Sequence, residues 1–152
     1  MAEPKFIPKD GQVDYTNIRY APVVNTVVTK DGKVLLVQRS QELRLYPGFW
    51  NGISGFLDDK QSIEEKVGEE LRDELGIEQA NILKLDRGHP FIQEAPEYDK
   101  TWLVVPVLVE INTDRVGIDW EASQAKWFEP SELKKLNLLP GFETVIAQLL
   151  DI

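Results

Sequence analysis

Four acidic residues, Glu69, Glu70, Asp73 and Glu74, lie within a stretch of six. On a helix, Glu70 and Glu74 would be about 40° apart around the axis and would therefore share a face. Like charges at this spacing repel, whereas a hard divalent cation such as Mg²⁺ or Mn²⁺ turns the repulsion into ligation by oxygen. The residues by themselves leave two interpretations open: a metal site for hydrolytic chemistry, or an acidic helix face.

The acids fall in the most clearly marked helix of the chain. Ser62 and Glu65 form a capping box at its start, and Gly76 marks its end. Apolar residues recur every four positions between these signals: Ile63, Val67, Leu71 and Leu75. The spacing predicts a helix over residues 63–75, with the glutamate pair at the margin of the apolar stripe, where partial burial is expected.

The composition limits the possible functions. The chain has 152 residues, a formal net charge of −9 and no cysteine. Residues 55–77 alone contain eight acids and three bases, a net charge of −5. The length fits one domain, and the charge argues against binding a nucleic-acid polymer or an anionic membrane. No disulfide or thiol nucleophile can form, and without a signal or membrane-spanning pattern we expect a cytoplasmic protein.

The chain before the acidic helix divides into three parts. Residues 1–20, with scattered charges and prolines, predict an N-terminal arm, and residues 21–152 a single domain. Two apolar β-branched runs around Asp31-Gly32 predict a β-hairpin over 23–39. Residues 40–60 lose all periodicity, which predicts a long loop of functional rather than structural use.

The remaining chain alternates short strands and helices. We expect a strand over 82–86, a polar loop over 87–100, a strand over 102–111, a short strand over 125–128, a helical turn over 131–135 and an amphipathic helix after Gly141. Pro106 interrupts the strongest of these strands and predicts an edge, a bulge or a break there, because proline cannot donate to a strand ladder.

The acidic segment resembles the Nudix box, a motif of a glycine, a glutamate, an Arg-Glu pair, a Glu-Glu pair and a closing glycine at fixed spacing. Aligned from Gly55, the chain has the full spacing over 23 residues. The matching positions are Gly55, Gln61, Glu69, Glu70, Leu71, Asp73, Glu74, Gly76 and Ile77. The run Pro47-Gly48-Phe49-Trp50 and the segment Trp127–Pro130 also look like the family.

The resemblance implies a fold, an activity and a site. The fold would be α/β, a Nudix-like α/β/α sandwich around a mixed sheet. The activity would be Mg²⁺- or Mn²⁺-dependent hydrolysis of a nucleoside diphosphate linked to another group, acting on a small-molecule substrate. Glu70, Asp73 and Glu74 would be the catalytic residues, and with Gly55 they would form the metal site. A homodimer would also fit the family.

Two positions depart from the box: Gln61 stands in place of Glu, and Glu69 in place of Arg. The resemblance implies that the arginine holds the box carboxylates in place, so its replacement removes a brace and adds a negative charge. We expect Gln61 to compensate in part, because its neutral amide can donate a hydrogen bond to Glu69.

Residues outside the box are further candidates. We assign Arg39, Trp50 and Glu97 to substrate binding, because a guanidinium matches phosphate oxygens and an aromatic ring can stack on a base. Trp50 could equally be packing, and Arg39 a surface charge. An acid in the loop over 87–100 could be the general base, with Glu94, Glu97 and Asp99 as candidates, whereas His89 is read as structural or exposed.

Three alternatives compete with the hydrolase. A non-catalytic module that binds a nucleotide or a protein has no need to keep Glu70, Asp73 and Glu74 on one helix. Cleavage of a nucleotide sugar at its glycosyl bond would differ in its products. An isoprenoid diphosphate isomerase of the same superfamily also has an altered box, but its chemistry depends on a cysteine, which this chain lacks.

Overall fold

The computed structural model describes residues 3–150 as a mixed eight-stranded sheet with a helix on each face. The elements are β1 (Tyr20–Lys30), β2 (Lys33–Arg39), β3 (Trp50–Asn51), β4 (Ile53–Phe56), α1 (Ile63–Leu75), β5 (Ile82–Arg87), β6 (Phe91–Ala95), β7 (Lys100–Ile111), β8 (Ala122–Phe128) and α2 (Phe142–Leu149). Short 3₁₀ turns span Gln79–Asn81, Pro96–Tyr98 and Pro130–Lys135.

The sheet is organised around β1 and β7, which pair in parallel along ten registered positions. The strand order is β3-β2-β1-β7-β5, with β4 paired to β1, β6 to β7 and β8 to β2, all antiparallel. One apolar core lies between the sheet and α1, and a second lies on the face of α2. The expected α/β/α sandwich around a mixed sheet is confirmed.

The two elements with the clearest sequence signals form as expected. Asp31 and Gly32 both have positive φ angles, 51° and 79°, and link β1 to β2 by the two-residue turn that such dihedrals produce. Helix α1 spans Ile63–Leu75, with a complete capping box at Ser62 and a left-handed Gly76 at its end. The hairpin and the helix are therefore confirmed.

The two long loops of the prediction each contain strands, and the prediction was wrong there. Strands β3 and β4 lie within residues 40–60, and β6 lies within residues 87–100. Strands β3 and β4 have two and four residues, too few to show an alternating pattern. Their pairing with β2 and β1 is set by the neighbouring strands.

Pro106 lies in the middle of the sheet, so the expected edge or bulge does not occur, whereas the expected break is found on one side only, between the pairings of β7 with β5 and with β6. It pairs with Asn25 in unbroken register with β1. Its carbonyl accepts from the amide of Gly88, in the gap between β5 and β6. The nitrogen and the carbonyl of a strand residue point to the same side of the strand. The Pro106 nitrogen, which has no hydrogen, therefore also faces this gap, and no hydrogen bond of the strand ladder is lost.

Residues 3–19, the described part of the chain before β1, form no helix or strand. Lys100 anchors it, because its buried ammonium donates to the carbonyls of Tyr15, Thr16 and Ile18. Of the expected arm over 1–20 and domain over 21–152, residues 1–2 and 151–152 lie outside the described residues. Within residues 3–150, no helix is both long enough and apolar enough to cross a bilayer.

Candidate active site

Helix α1 turns Glu70 and Glu74 toward the sheet. Val67, Leu71 and Leu75 pack into the core, and the two glutamates lie beside this stripe, half-buried. Their burial agrees with the partial desolvation that the helical spacing predicts. An apolar stripe that must face the sheet therefore also brings two carboxylates to its edge.

Strand β4 comes close to Glu70 at Gly55, which pairs with Val24 of β1. A methyl group added at Gly55 would lie 2.7 Å from Glu70 Cδ and 2.8 Å from its Oε1. The carboxylate thus fills the space that any other residue at position 55 would need for its side chain. The sheet backbone and the helix carboxylate meet here without an intervening side chain.

Two further acids join the cluster from the segment before β8. Glu121 is fixed at the end of β2, where its carbonyl accepts from the Ser40 amide at 2.8 Å, and its own amide donates to Asp119 Oδ1 at 3.0 Å. Single carboxylate oxygens of Glu74, Asp119 and Glu121 all lie within 4.8 Å of one another. The site therefore combines acids that are far apart in the sequence.

Sequence reasoning missed Asp119 and Glu121. No spacing rule links either of them to Glu74, and the acids of the loop over 87–100 were preferred as outside contributors. The available signal was weak: two acids directly before a predicted strand. Only the antiparallel pairing of β8 with β2 brings them to the helix.

Burial disfavours the charged form of every acid in this cluster. It raises the pKa of the Glu74 carboxyl to about 12, and the neighbouring Glu70 and Glu121 carboxyls act in the same direction. Burial likewise raises the pKa values of Glu70, Glu121 and Asp119. Glu74 Oε2 is buried without a hydrogen-bond partner among residues 3–150. Such a group is costly unless something else satisfies it.

The donor set fits a hard divalent cation. It consists of carboxylate oxygens, the ligands that Mg²⁺ and Mn²⁺ prefer. The partnerless Glu74 Oε2 has a role if it binds an ion, and an ion would favour the charged forms that burial disfavours. The residues present therefore fit a metal site built from Glu74, Asp119 and Glu121, with Glu70 next to Glu74 on the same face of α1.

Arg39, at the end of β2, is a cation close to the cluster. Burial lowers the pKa of its guanidinium, while the charges of Glu121 and Glu74 act in the opposite direction. Its Nε and Nη2 donate to the Leu45 carbonyl at 3.1 and 2.9 Å, which fixes the side chain. Arg39 lines the same cavity as Glu70 and Glu121.

That cavity has a volume of about 740 Å³ and is lined by Glu70 and Glu121 as well as by aromatic side chains. Glu74 and Asp119 line a smaller adjoining pocket that shares Arg39 and Glu121 with it. Phe56 and Trp102 line the larger cavity, with ring centroids 5.9 Å apart, and Tyr15 of the arm stacks on Phe56. Cavities of this size usually bind small molecules. Acidic and aromatic side chains in one cavity suit a ligand with a charged part and a flat part.

The altered motif positions contact one another. Gln61 Nε2 donates to Glu69 Oε2 at 2.5 Å and to Asp59 Oδ2 at 2.9 Å. The expected bond between Gln61 and Glu69 is confirmed. Two departures from the motif thus form a single interaction.

Other candidates from the sequence lie outside the cavity. Asp73 is exposed, pairs with Arg72 at 3.5 Å and is not one of the acids whose oxygens cluster with Glu74. Trp50 packs edge-on against Phe128, with ring centroids 5.2 Å apart. The remaining candidates are not among the residues that line the cavity: Glu94, Glu97, Asp99 and His89, all exposed.

Comparison with known proteins agrees with this architecture. A family model described as the NUDIX domain matches residues 19–149. The chain belongs to the Nudix family. A relative, the NAD-capped RNA hydrolase NudC of Pseudomonas aeruginosa, is 27% identical over 136 residues, which cover 88% of this chain and 44% of that protein. The chain thus spans less than half the length of this curated Nudix relative.

Two other proteins show the breadth of the Nudix likeness. The isopentenyl-diphosphate Δ-isomerase of Kocuria rhizophila is 29% identical over 118 residues, which cover 70% of this chain and 61% of the isomerase. The NUDIX domain of Shewanella oneidensis NrtR, solved with ADP-ribose, superposes with a TM-score of 0.71 at 20% identity, covering 85% of each chain. The structural likeness supports the Nudix fold.

Proposed function

We propose that this Nudix protein is a pyrophosphohydrolase that cleaves a nucleoside diphosphate linked to another group, with Mg²⁺ or Mn²⁺ as cofactor. One observation carries the proposal: Glu74, Asp119 and Glu121 place carboxylate oxygens within 4.8 Å of one another. The buried Glu74 Oε2 has no hydrogen-bond partner among the described residues. The family and its hydrolase relatives support the same reaction class.

The carboxylates have a defined task in this proposal. Glu70, Glu74, Asp119 and Glu121 would hold the ion, which when bound neutralises diphosphate oxygens and lowers the pKa of water. Gly55 leaves the space that the Glu70 carboxylate occupies beside β4. These groups act by position and charge, which is how phosphoryl transfer is mainly accelerated.

We assign the general base to Glu121. Glu121 would offer the ion one carboxylate oxygen and keep its second oxygen to accept the proton of the attacking water. Arg39 carries the compensating positive charge and is fixed by the Leu45 carbonyl. Its guanidinium would contact the phosphate oxygens of the substrate. The exposed acids Glu94, Glu97 and Asp99 belong neither to the cavity lining nor to the group of clustered carboxylates, and they are poorly placed for either task.

The substrate would be a small nucleotide derivative. The diphosphate would lie at the acidic cluster, and a flat group would lie toward Phe56 and Trp102 in the cavity of about 740 Å³. NudC is named for NAD-capped RNA and the NrtR domain was solved with ADP-ribose, both of which contain a nucleoside diphosphate. Within the chain, we assign this task to a domain over 21–152 preceded by an arm over 1–20.

Product analysis tests the proposal. Nucleoside triphosphates, dinucleoside polyphosphates, ADP-ribose, NAD and nucleotide sugars are each incubated with Mg²⁺ or Mn²⁺, and the products are separated by chromatography. We expect metal-dependent release of a nucleoside monophosphate from at least one compound. Glu74→Gln and Glu121→Gln should each lower the rate at least about tenfold, since each removes a ligand or base charge.

Glu143→Gln is the matched control, because Glu143 is exposed on α2, on the opposite face of the sheet. It should keep the wild-type rate. Free sugar with a nucleoside diphosphate would instead identify glycosyl cleavage. No turnover on any compound, together with no Mn²⁺ binding by calorimetry, would contradict the hydrolase and favour a binding module.

A further inference from the structure

A second group of charges lies beside the acidic cluster, around one buried cation. Lys66 of α1 has a side chain that is only 5% exposed. Its Nζ lies 3.1 Å from Asp58 Oδ1, 2.9 Å from Asp59 Oδ2 and 3.7 Å from Glu69 Oε2. One ammonium group therefore contacts three carboxylates. None of the family-derived candidates for the site includes it.

The environment keeps Lys66 charged. Burial alone would lower the pKa of its ammonium, but the hydrogen bonds to Asp59 and Asp58 raise the pKa above its ordinary value. Buried charges persist when they are paired and hydrogen-bonded, as here. Lys66 is thus a permanent positive charge within a segment that has a strong excess of acids.

Lys66 joins the two elements that create the site. Asp58 and Asp59 lie just after β4, the strand that contains Gly55, whereas Lys66 lies on α1, one turn before Glu70. An ion pair between them fixes the loop from β4 to α1. The close approach of Gly55 to Glu70 depends on that loop, because the strand and the helix meet there.

The altered motif positions complete this arrangement. Gln61 Nε2 bridges Asp59 and Glu69, two of the acids that Lys66 contacts. An arginine at 69 facing a glutamate at 61 would give an ion pair in the same place. In this chain the positive charge stands at Lys66, three residues earlier on the same helix, and position 69 is acidic instead.

We propose that Lys66 is the positioning residue of the metal site. It carries the positive charge that the box otherwise has at position 69, and it locks the β4–α1 loop so that Glu70 faces Gly55. This inference rests on the proposed function, because it concerns the affinity of the same site for a divalent ion. The ammonium of Lys66 faces Asp58, Asp59 and Glu69, so Lys66 would act through this loop and not as a ligand of the ion.

Mn²⁺ binding tests this role without relying on turnover. The dissociation constant for Mn²⁺ is measured by calorimetry and by the electron paramagnetic resonance signal of free Mn²⁺. Lys66→Met should weaken binding about 10- to 100-fold, the range seen when a group that orients metal ligands is lost. Lys66→Arg keeps the charge and should bind within about threefold of wild type.

A variant with the positive charge moved to another position distinguishes a positioning role of Lys66 from simple packing. Gln61→Glu/Lys66→Met/Glu69→Arg moves the positive charge from position 66 to the position of the box. We expect it to recover most of the Mn²⁺ affinity lost in Lys66→Met. If Lys66 acted only by filling space, the triple variant would bind as weakly as the single one, and the inference would be wrong.

The outcomes distinguish this inference from the proposed function. Wild type that does not bind Mn²⁺ contradicts the proposed function. Wild type that binds, with Lys66→Met binding equally well, overturns the role of Lys66 alone. If Lys66→Met does not fold by circular dichroism, Asp59→Asn replaces it, because Asp59 is a half-buried partner whose loss leaves the lysine in place. Unchanged Mn²⁺ affinity in Asp59→Asn would then overturn the inference.

Discussion

Gly55→Ala is the sharpest test of how the site is built, because it adds one methyl group between β4 and α1. The new Cβ would lie 2.7 Å from Glu70 Cδ, roughly 0.7 Å short of the 3.4 Å at which ordinary contact begins. The neighbour that must move is a side-chain carboxylate rather than backbone, so the fold can accept the change. The carboxylate must then shift away from Gly55 by several tenths of an ångström.

We expect Gly55→Ala to lower activity and to leave the stability of the fold almost unchanged. A displacement approaching 1 Å of a group that must be well placed can lower a rate about 100-fold, so we expect kcat/KM to fall by about 10- to 100-fold. The free energy of unfolding should change by less than about 1 kcal/mol. Turnover with saturating Mn²⁺, the Mn²⁺ dissociation constant and urea unfolding together measure both effects.

Gly68→Ala provides the matched control on α1. Its Cβ would meet only the end of the Gln79 side chain, at 3.0 Å, so no site carboxylate is displaced. It should keep the wild-type rate and gain up to about 1 kcal/mol from the better helix propensity of alanine. Wild-type rate and Mn²⁺ affinity in Gly55→Ala would refute the reasoning that position 55 must be empty for Glu70 to be placed correctly.

Three further predictions follow from the structure. Because burial raises the pKa of Glu74 to about 12, the metal-free protein should lose stability as pH rises above about 4.5, whereas Mn²⁺ binding should strengthen with pH and release about one proton at pH 7. Melting curves with and without Mn²⁺ at pH 6 and 8.5, and calorimetry in two buffers, check this. Melting temperatures that change equally with pH in the presence and absence of Mn²⁺ would contradict it. Trp50→Ala should lower the free energy of unfolding by about 2–4 kcal/mol through lost packing on Phe128 and leave KM unchanged. A raised KM at unchanged stability would instead favour a role of Trp50 in substrate binding. Ser62→Ala removes the acceptor of the Glu65 amide at 3.1 Å and should cost about 1 kcal/mol in urea unfolding, with no loss counting against the cap.

The sequence was sufficient wherever a signal is local. The capping box at Ser62, the four-residue repeat and Gly76 defined α1 to the residue, and Asp31-Gly32 defined the first hairpin. Helix geometry also placed Glu70 and Glu74 on one face. The Gln61–Glu69 hydrogen bond was predictable, because the two residues lie on either side of the start of α1 and a neutral amide can donate to a carboxylate.

The tertiary structure alone decided which distant residues meet the helix. Asp119 and Glu121 reach Glu74 because β8 pairs antiparallel with β2, and no local pattern encodes that pairing. The short strands β4 and β6 form because β1 and β7 offer free edges. Pro106 fits a central strand only because its missing donor faces a gap. Local propensity specifies elements, whereas contacts between elements far apart in sequence arise from packing and determine the site.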